Sequence, residues 1–417
     1  MGQAVVQAMR GKVSILTGGV DSHYAIPLIL ALKQRGFDLE VLGSSEFLAS
    51  PEFRAANIPF LNAHGTMDAR NPWLKKVSRV ISAYASLIRY AGRTDSDIFH
   101  ILWHNNFKLF DRVLLTAYYK SLGKTLVFTA HNVDIDERDG RTGFVSRASL
   151  RLMYHMMDHI FVHTEKMKDQ LASGFGIARE RITVHPYGMN TVAPDSSLTR
   201  VEARHRLGIS PDEKVGLFFG NVAPYKGLEY VIRAVRIVKS EGLHDLMLIV
   251  AGKVKNRQAQ PYWDSISRLI SEQGLGDSVR TVIGHIPDED IEVFMKAADV
   301  CVLPYVYIYQ SGVLILAYRY GLPVVVTDAG SMREDVIEGK TGFVCRSSDA
   351  PDLARALSTY FASPLFARRE QTRQDVIRYA EARYSWPAIA MTLARVYETV
   401  RPTARGAVCV EDARAGR

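Results

Sequence analysis

LFFGNVAPYKGLEYVIRA, Leu217 to Ala234, and LPYVYIYQSGVLILAYRYGLPVVVTDAGSMREDV, Leu303 to Val336, decide how this chain folds. In each, an apolar run without helical period gives way to small and polar residues, then to apolar residues three and four apart. Val215 to Gly220 predicts a strand, Pro224-Tyr225-Lys226-Gly227 a turn, and Leu228, Val231, Ile232 and Val235 the buried stripe of a helix. Val300 to Pro304 and Val324 to Thr327 predict two more strands, with a helix over Val313 to Tyr320 between them. Lys226 then stands just before one helix start and Gln310-Ser311-Gly312 at another, where Ser311 caps and Gly312 opens unpaired N–H groups to a ligand. A full positive charge beside such N–H groups suits an anion of the diphosphate kind. The competing reading is a solvated loop lysine, with Ser311 and Gly312 only shaping a turn.

The amino-terminal half reads the same way. Lys12 to Leu16 is an apolar strand ending at Thr17-Gly18-Gly19, and Tyr24 to Leu32 is helical in pattern. No GxGxxG follows that strand, which argues against a dinucleotide-binding dehydrogenase. Ile98 to Leu102 and Leu126 to Thr129 predict further strands, and His131 falls just past the second, where a strand end meets a cleft. His100 lies within a strand pattern and His104 precedes two asparagines, so both read as structural. The acids Asp134, Asp136, Glu137 and Asp139 follow directly; a base or acceptor-binding role and a solvated loop paired with Arg138 and Arg141 both stay open.

GNVAPYKGLEYVIRA, VAGK at Val250 to Lys253, AADVCVLPY, QSGVLILAYRYGLPVVVTDAGSMRED and GKTGFV resemble, in order and separation, the motifs of family 4 glycosyltransferases. The resemblance covers most of the chain and is strongest from about Val184 to Ser385. It implies an α/β protein of the GT-B fold: two Rossmann-like, doubly wound parallel-sheet domains facing a central cleft. It implies a retaining enzyme that transfers a sugar from a nucleotide-diphosphate sugar, such as a UDP- or GDP-sugar, to a hydroxyl acceptor, with no cofactor and no metal. By resemblance His131 stands against the donor sugar and Gly18 and Gly19 beside its diphosphate, with Lys226 on the leaving group. Asn221, Tyr309, Gln310, Ser311, Gly312, Val313 and Glu334 would contact the donor, and Gly252, Lys253, His285 and Ile286 the base.

The chain also departs from the family. The Glu-x7-Glu acids fall, by ungapped count from Gly321-Leu322-Pro323, on Ile308 and Leu316, and the phosphate-binding arginine on Asn221 or Ala223. Charged hydrogen bonds contribute about 1.5 to 3 kcal/mol each, so their loss weakens donor binding. The QSGV turn looks like a variant of the Glu-x7-Glu region found in part of the family, which favours an active enzyme. The alternative is a non-catalytic scaffold that binds a nucleotide or sugar or supports a partner glycosyltransferase.

With no carboxylate at an obvious nucleophile position, retention by front-face attack within an ion pair is expected. Lys226 and the N–H groups of Gly312 and Val313 would hold the departing diphosphate. Asp288-Glu289-Asp290 reads as a helix start, not a metal-binding pair. Length, 417 residues, and 47% hydrophobic content suit two cores. The expected division is 1–187, an acceptor-side domain; 188–380, the nucleotide-sugar domain; 381–401, a helix crossing back to the first domain; and 402–417, a flexible tail. In the crossing helix Trp386, Ile389, Leu393 and Val396 form the apolar face.

Cys301, Cys345 and Cys409 are isolated, so neither disulfides nor a zinc site is expected. No leader or long uncharged apolar run is read, and a cytoplasmic protein is expected. The net charge of +8 suits an anionic partner. Trp73, Lys75, Lys76, Arg79, Ile81, Tyr84, Leu87, Ile88 and Arg89 make a basic amphipathic helix. It either lies on an anionic bilayer, at the inner face of the membrane, or packs on its own sheet with a solvated basic face. Nucleic acid is not an expected partner, because no stacking-aromatic motif accompanies the charge.

Overall fold

The computed structural model describes residues 12–19, 21–65, 73–105, 107, 109–133, 143–189 and 194–401. The acidic cluster of Asp134, Asp136, Glu137 and Asp139, and Cys409, lie outside them. The first half holds strands β1 (Lys12–Leu16), β2 (Asp38–Gly43), β3 (Phe60–Asn62), β4 (Ile98–Ile101), β5 (Thr125–Thr129), β6 (His159–Val162) and β7 (Ile182–Val184). They form one parallel sheet in the order β3-β2-β1-β4-β5-β6-β7. The second half holds β8 (Lys214–Phe219), β9 (Leu246–Gly252), β10 (Val279–Ile283), β11 (Val300–Leu303), β12 (Val324–Thr327) and β13 (Gly342–Cys345). Their order is β10-β9-β8-β11-β12-β13, again parallel. This is the expected GT-B architecture.

Continuous apolar runs become strands here because helices cover both faces of each sheet. Phe218, Val250, Val302 and Val325 turn to one face of the second sheet and meet Leu228, Val231, Ile232 and Val235, the stripe read from the sequence. Leu217, Ile249, Leu303 and Val326 turn to the other and meet Leu314 to Tyr318. The strand order reverses direction between β1 and β4 in one sheet and between β8 and β11 in the other. Loops leaving such neighbouring strands diverge and open a crevice at the carboxyl edge.

The helix Trp386–Val400 leaves the second half and packs on the first, with Trp386, Ile389, Leu393 and Val396 in one apolar cluster with Val13, Leu28 and Ile29. Burying a side chain of this size contributes about 1.5 to 3 kcal/mol, so the four fix the helix firmly. The Tyr397 hydroxyl bonds His100 Nδ1 at 2.6 Å. Where the chain crosses between halves, Met189 N–H donates to the Tyr384 carbonyl at 3.1 Å and Trp386 Nε1 to the Met189 carbonyl at 2.6 Å. Gly188 is required there, since a Cβ would stand 2.2 Å from the Trp386 ring.

Candidate functional site at the facing carboxyl edges

In the second half, Gly220 follows β8 with φ 102°, and the carbonyl of Gly220 leaves no room for a Cβ on Gly252, whose φ is 143°. The chain then turns through Pro224–Lys226, and Gly227, at φ 65°, opens the helix Leu228–Ser240. Lys226 is buried, and its ammonium donates to the Tyr305 hydroxyl and lies 4.1 Å from the centre of that ring. Burial brings its pKa down to about 7.

Tyr305 sits just after β11 and is fully buried, and its hydroxyl lies 3.2 Å from Ser311 Oγ. Ser311 caps the helix Gly312–Arg319 by accepting from Leu314 N–H. One chain of polar contacts therefore links the ammonium of one switch-point loop to the helix start of the other. Gly220 lies between, since a Cβ there would stand 3.5 Å from Val313 and 3.8 Å from Lys226 Nζ. Gly312 is exposed.

The other expected donor contacts follow the same sheet edge. Asn221, half-buried, and Lys253, exposed, come from the loops after β8 and β9; the backbone joins them as Val222 N–H donates to the Lys253 carbonyl at 2.8 Å. His285, exposed, and Ile286, packed on the core, follow β10. Both amide atoms of Gln310 are out of water and without a partner among the described residues. Tyr309 is buried against the first half, in a cluster with Phe128 and Leu150. Of the two family acid positions, Leu316 is core and Ile308 packs against that core, so no carboxylate stands at either.

Glu334, expected on the donor, contacts the first half in this structure. Its carboxylate accepts from Glu165 N–H at 3.1 Å and Lys166 N–H at 3.3 Å, at the start of the helix Glu165–Phe175 in the first half. Beside it, Ser331 and Thr164 hydroxyls meet at 2.8 Å and Lys166 Nζ donates to the Gly330 carbonyl at 3.0 Å. A carboxylate is favoured at a helix start by unpaired N–H groups and the helix dipole. Glu334 therefore serves the contact between halves in this structure.

In the first half Gly18 and Gly19 both take left-handed backbone, φ 61° and 76°. A Cβ on Gly18 would meet the Trp103 and His104 carbonyls at 2.8 Å, so the β1 and β4 loops are in close contact. His131, just past β5, stacks on Trp103 with ring centres 4.1 Å apart and planes 6° apart, and takes the edge of Tyr24 at 4.8 Å. Its Nδ1 lies 2.9 Å from His163 Nε2, and its Nε2 is out of water and unpartnered among the described residues. Burial, with a smaller contribution from His185, lowers its pKa to about 3. His100 bonds Thr129 and Tyr397 inside the sheet, a structural role.

Tyr187 joins the two sets. Its ring lies 6.2 Å from His131, and a Cβ on Gly312 would stand 3.7 Å from it. The structure thus brings His131 and the Gly312 helix start close to one tyrosine. Tyr305, Tyr187, Trp103 and His163 were not singled out from the sequence. All four lie within three residues of a strand's carboxyl end, which was the available signal.

Two family models match the chain, Glycosyltransferase Family 4 over residues 17–192 and Glycosyl transferases group 1 over residues 199–383, and together they take in most of it. The chain carries a Glycosyltransferase Family 4 domain followed by a Glycosyl transferases group 1 domain. Among curated relatives, the D-inositol 3-phosphate glycosyltransferase of Streptosporangium roseum is 28% identical over 58% of this chain and 54% of its own. That of Rhodococcus erythropolis is 25% identical over 90% and 85%. The chain thus aligns with about half the length of the Streptosporangium relative. Sucrose-phosphate synthase from Thermosynechococcus elongatus superposes with a TM-score of 0.73 at 19% identity, covering 94% of this chain and 99% of that one. Anabaena HepE in complex with UDP superposes with a TM-score of 0.70 at 17% identity, over 94% and 100%.

Proposed function

We propose that this chain transfers a sugar from a nucleotide-diphosphate sugar to a hydroxyl acceptor with retention at the anomeric carbon. The observation that carries the reading is the contact chain from Lys226 through Tyr305 to Ser311 at the start of the Gly312–Arg319 helix. It gathers one cation and unpaired N–H groups at a switch point, where they are aimed at a diphosphate leaving group. The C1–O bond to the diphosphate breaks as the acceptor oxygen forms its bond from the same face, and the acceptor proton leaves with the nucleotide product. Lys226 and the Gly312 and Val313 N–H groups stabilise the growing negative charge, so the step needs no divalent ion. Asn221, Gln310 and His131 would orient the sugar, and Gly252, Lys253, His285 and Ile286 the base.

The test is nucleotide release from a panel of UDP-, GDP- and ADP-sugars, with product anomers read by NMR. Turnover that persists in EDTA with the donor's anomeric configuration kept is expected; inversion, or loss of all turnover on chelation, defeats the mechanism. Leu316 and Ile308 favour a second reading, a scaffold without turnover, since neither offers a carboxylate. Nucleotide binding with no release across the panel would identify it.

The acceptor side also supports peripheral association with an anionic membrane. The helix Trp73–Ala91 contains no acid and exposes Ile81, Ile88 and Arg89, and beside it Phe107 and Leu109 help line an apolar groove of about 820 Å³. An apolar stripe edged by cations suits a bilayer surface with anionic lipid. No helix among the described residues is long and apolar enough to cross a membrane. Co-sedimentation with vesicles containing phosphatidylglycerol, reversed by salt, is expected; no binding at low salt removes the idea.

A further inference from the structure

His163 follows β6 as His131 follows β5, and the two strands are neighbours in the sheet, which brings the rings together. The chain of contacts has one fixed end. His163 Nδ1 lies 3.3 Å from the backbone carbonyl of His185, and a carbonyl only accepts, so that nitrogen carries the hydrogen. In a neutral ring the other nitrogen, Nε2, is then bare and accepts. Its partner at 2.9 Å is His131 Nδ1, which must donate. His131 Nε2 is left without a hydrogen, out of water and with no partner among the described residues.

We infer that His163, anchored on the His185 carbonyl, is a positioning residue that holds His131 in the Nδ1–H tautomer and presents a bare Nε2 as hydrogen-bond acceptor for a ligand hydroxyl. This rests on the proposed function for the identity of the ligand but not for the tautomer. The rings are neutral in the required sense, because burial holds His163 well below the ordinary histidine range and His131 near 3. Trp103 and Tyr24 hold the His131 ring plane by stacking and edge contact, so rotation of the ring cannot exchange the two nitrogens freely. A bare nitrogen repels a phosphate oxygen and attracts an O–H, so His131 serves the sugar and not the diphosphate. An imidazole that protonates only near pH 3 is also a poor base at neutral pH. Its contribution is orientation.

The test is ring-nitrogen NMR of protein labelled with ¹⁵N-histidine, the His131 signals identified by their loss in His131→Gln. Wild type is expected to show protonated Nδ1 and bare Nε2 at His131, and His163→Phe, which keeps ring volume but removes the acceptor, a shift toward the reverse tautomer or a mixture. His163→Gln offers a carbonyl to His131 Nδ1–H and is expected to restore the wild-type pattern. On the activity side, His163→Phe should raise the donor KM about tenfold, the effect of one hydrogen bond, with Gln recovering most of it. A wild-type His131 protonated at Nε2, or a tautomer indifferent to His163→Phe, overturns the inference. The expected tautomers without turnover on any donor would uphold it while counting against the transferase reading.

Discussion

Burial keeps neutral the histidines along the first sheet, whereas a buried lysine and exposed helix N–H groups give the second sheet's carboxyl edge a positive character. Nine of the chain's twelve histidines precede residue 188. Burial lowers His100, His104 and His131 to about 3 and His64, His159 and His185 to about 4. Across the cleft, Lys226 is a buried cation with a phenol as its hydrogen-bond partner. The same parallel architecture therefore offers an uncharged, aromatic wall to one part of a ligand and an anion-binding wall to another. On the proposed function, that difference would divide the work of binding between a neutral sugar and a charged diphosphate.

Acid should break the comparison most strongly. Above pH 6.5 the buried rings are neutral both folded and unfolded and contribute nothing to pH dependence. As pH falls below that value the unfolded chain takes up protons that the folded chain refuses. Each such ring then removes about 1.4 kcal/mol of stability per pH unit until its folded pKa is reached. With six rings lowered to 3 or 4, lowering the pH from 6.5 to 5 should destabilise the first half by several kcal/mol. Hydrogen exchange at pH 7 and 5 is expected to show β1, β4, β5 and β6 losing protection before β8, β9, β11 and β12. Equal protection at both values, or earlier opening of the second half, would contradict the assignment of neutral rings.

Lys226→Ala comes next. Removing a charged hydrogen-bond donor from a diphosphate costs about 1.5 to 3 kcal/mol, so UDP or GDP affinity should fall about 10- to 150-fold. The pH dependence has a definite sign. In the free protein Lys226 holds its proton below about pH 7 and loses it above, while a bound diphosphate draws the proton back. The wild-type advantage over the Ala variant should therefore be largest below pH 7 and shrink as pH rises. Calorimetric titration of both proteins at pH 6 and 8 checks it; an unchanged affinity would mean that the diphosphate lies elsewhere.

How much of this was legible in the residues depends on distance along the chain. Strands β1, β8, β11 and β12 were readable because a strand buried on both faces is a continuous apolar run, and Val324 to Thr327 matches to the residue. Lys226 and Ser311 were readable because both are defined by a local transition into a helix. Tyr305 and His163 were not, since their roles depend on which strands lie side by side, β8 with β11 and β5 with β6. Glu334 lay further out of reach: its partners Glu165 and Lys166 belong to the other half, and nothing local distinguishes a carboxylate meant for a ligand from one meant for a facing helix. The missing family acids were visible at once, because an absence at a counted position needs no tertiary knowledge.

Tyr305→Phe gives the smallest and most discriminating effect. The substitution keeps the ring 4.1 Å from the lysine ammonium and removes only the hydroxyl that joins Lys226 to Ser311. Two outcomes can be weighed in advance. If the phenol merely occupies Lys226 until a ligand displaces it, deleting the hydroxyl frees the ammonium and nucleotide binding tightens. If the phenol aims the ammonium at the helix start, deleting it lets a flexible four-carbon side chain wander and binding weakens. Burial decides between them: Lys226 is only 6% exposed, so an ammonium released from Tyr305 has no water to turn to and instead surrenders its proton more readily. Weaker UDP or GDP binding by about two- to tenfold is therefore expected, less than in Lys226→Ala because the ammonium itself remains. Tighter binding would recast Tyr305 as a competitor of the ligand, and the positive wall of the cleft would then rest on Lys226 and the helix N–H groups alone.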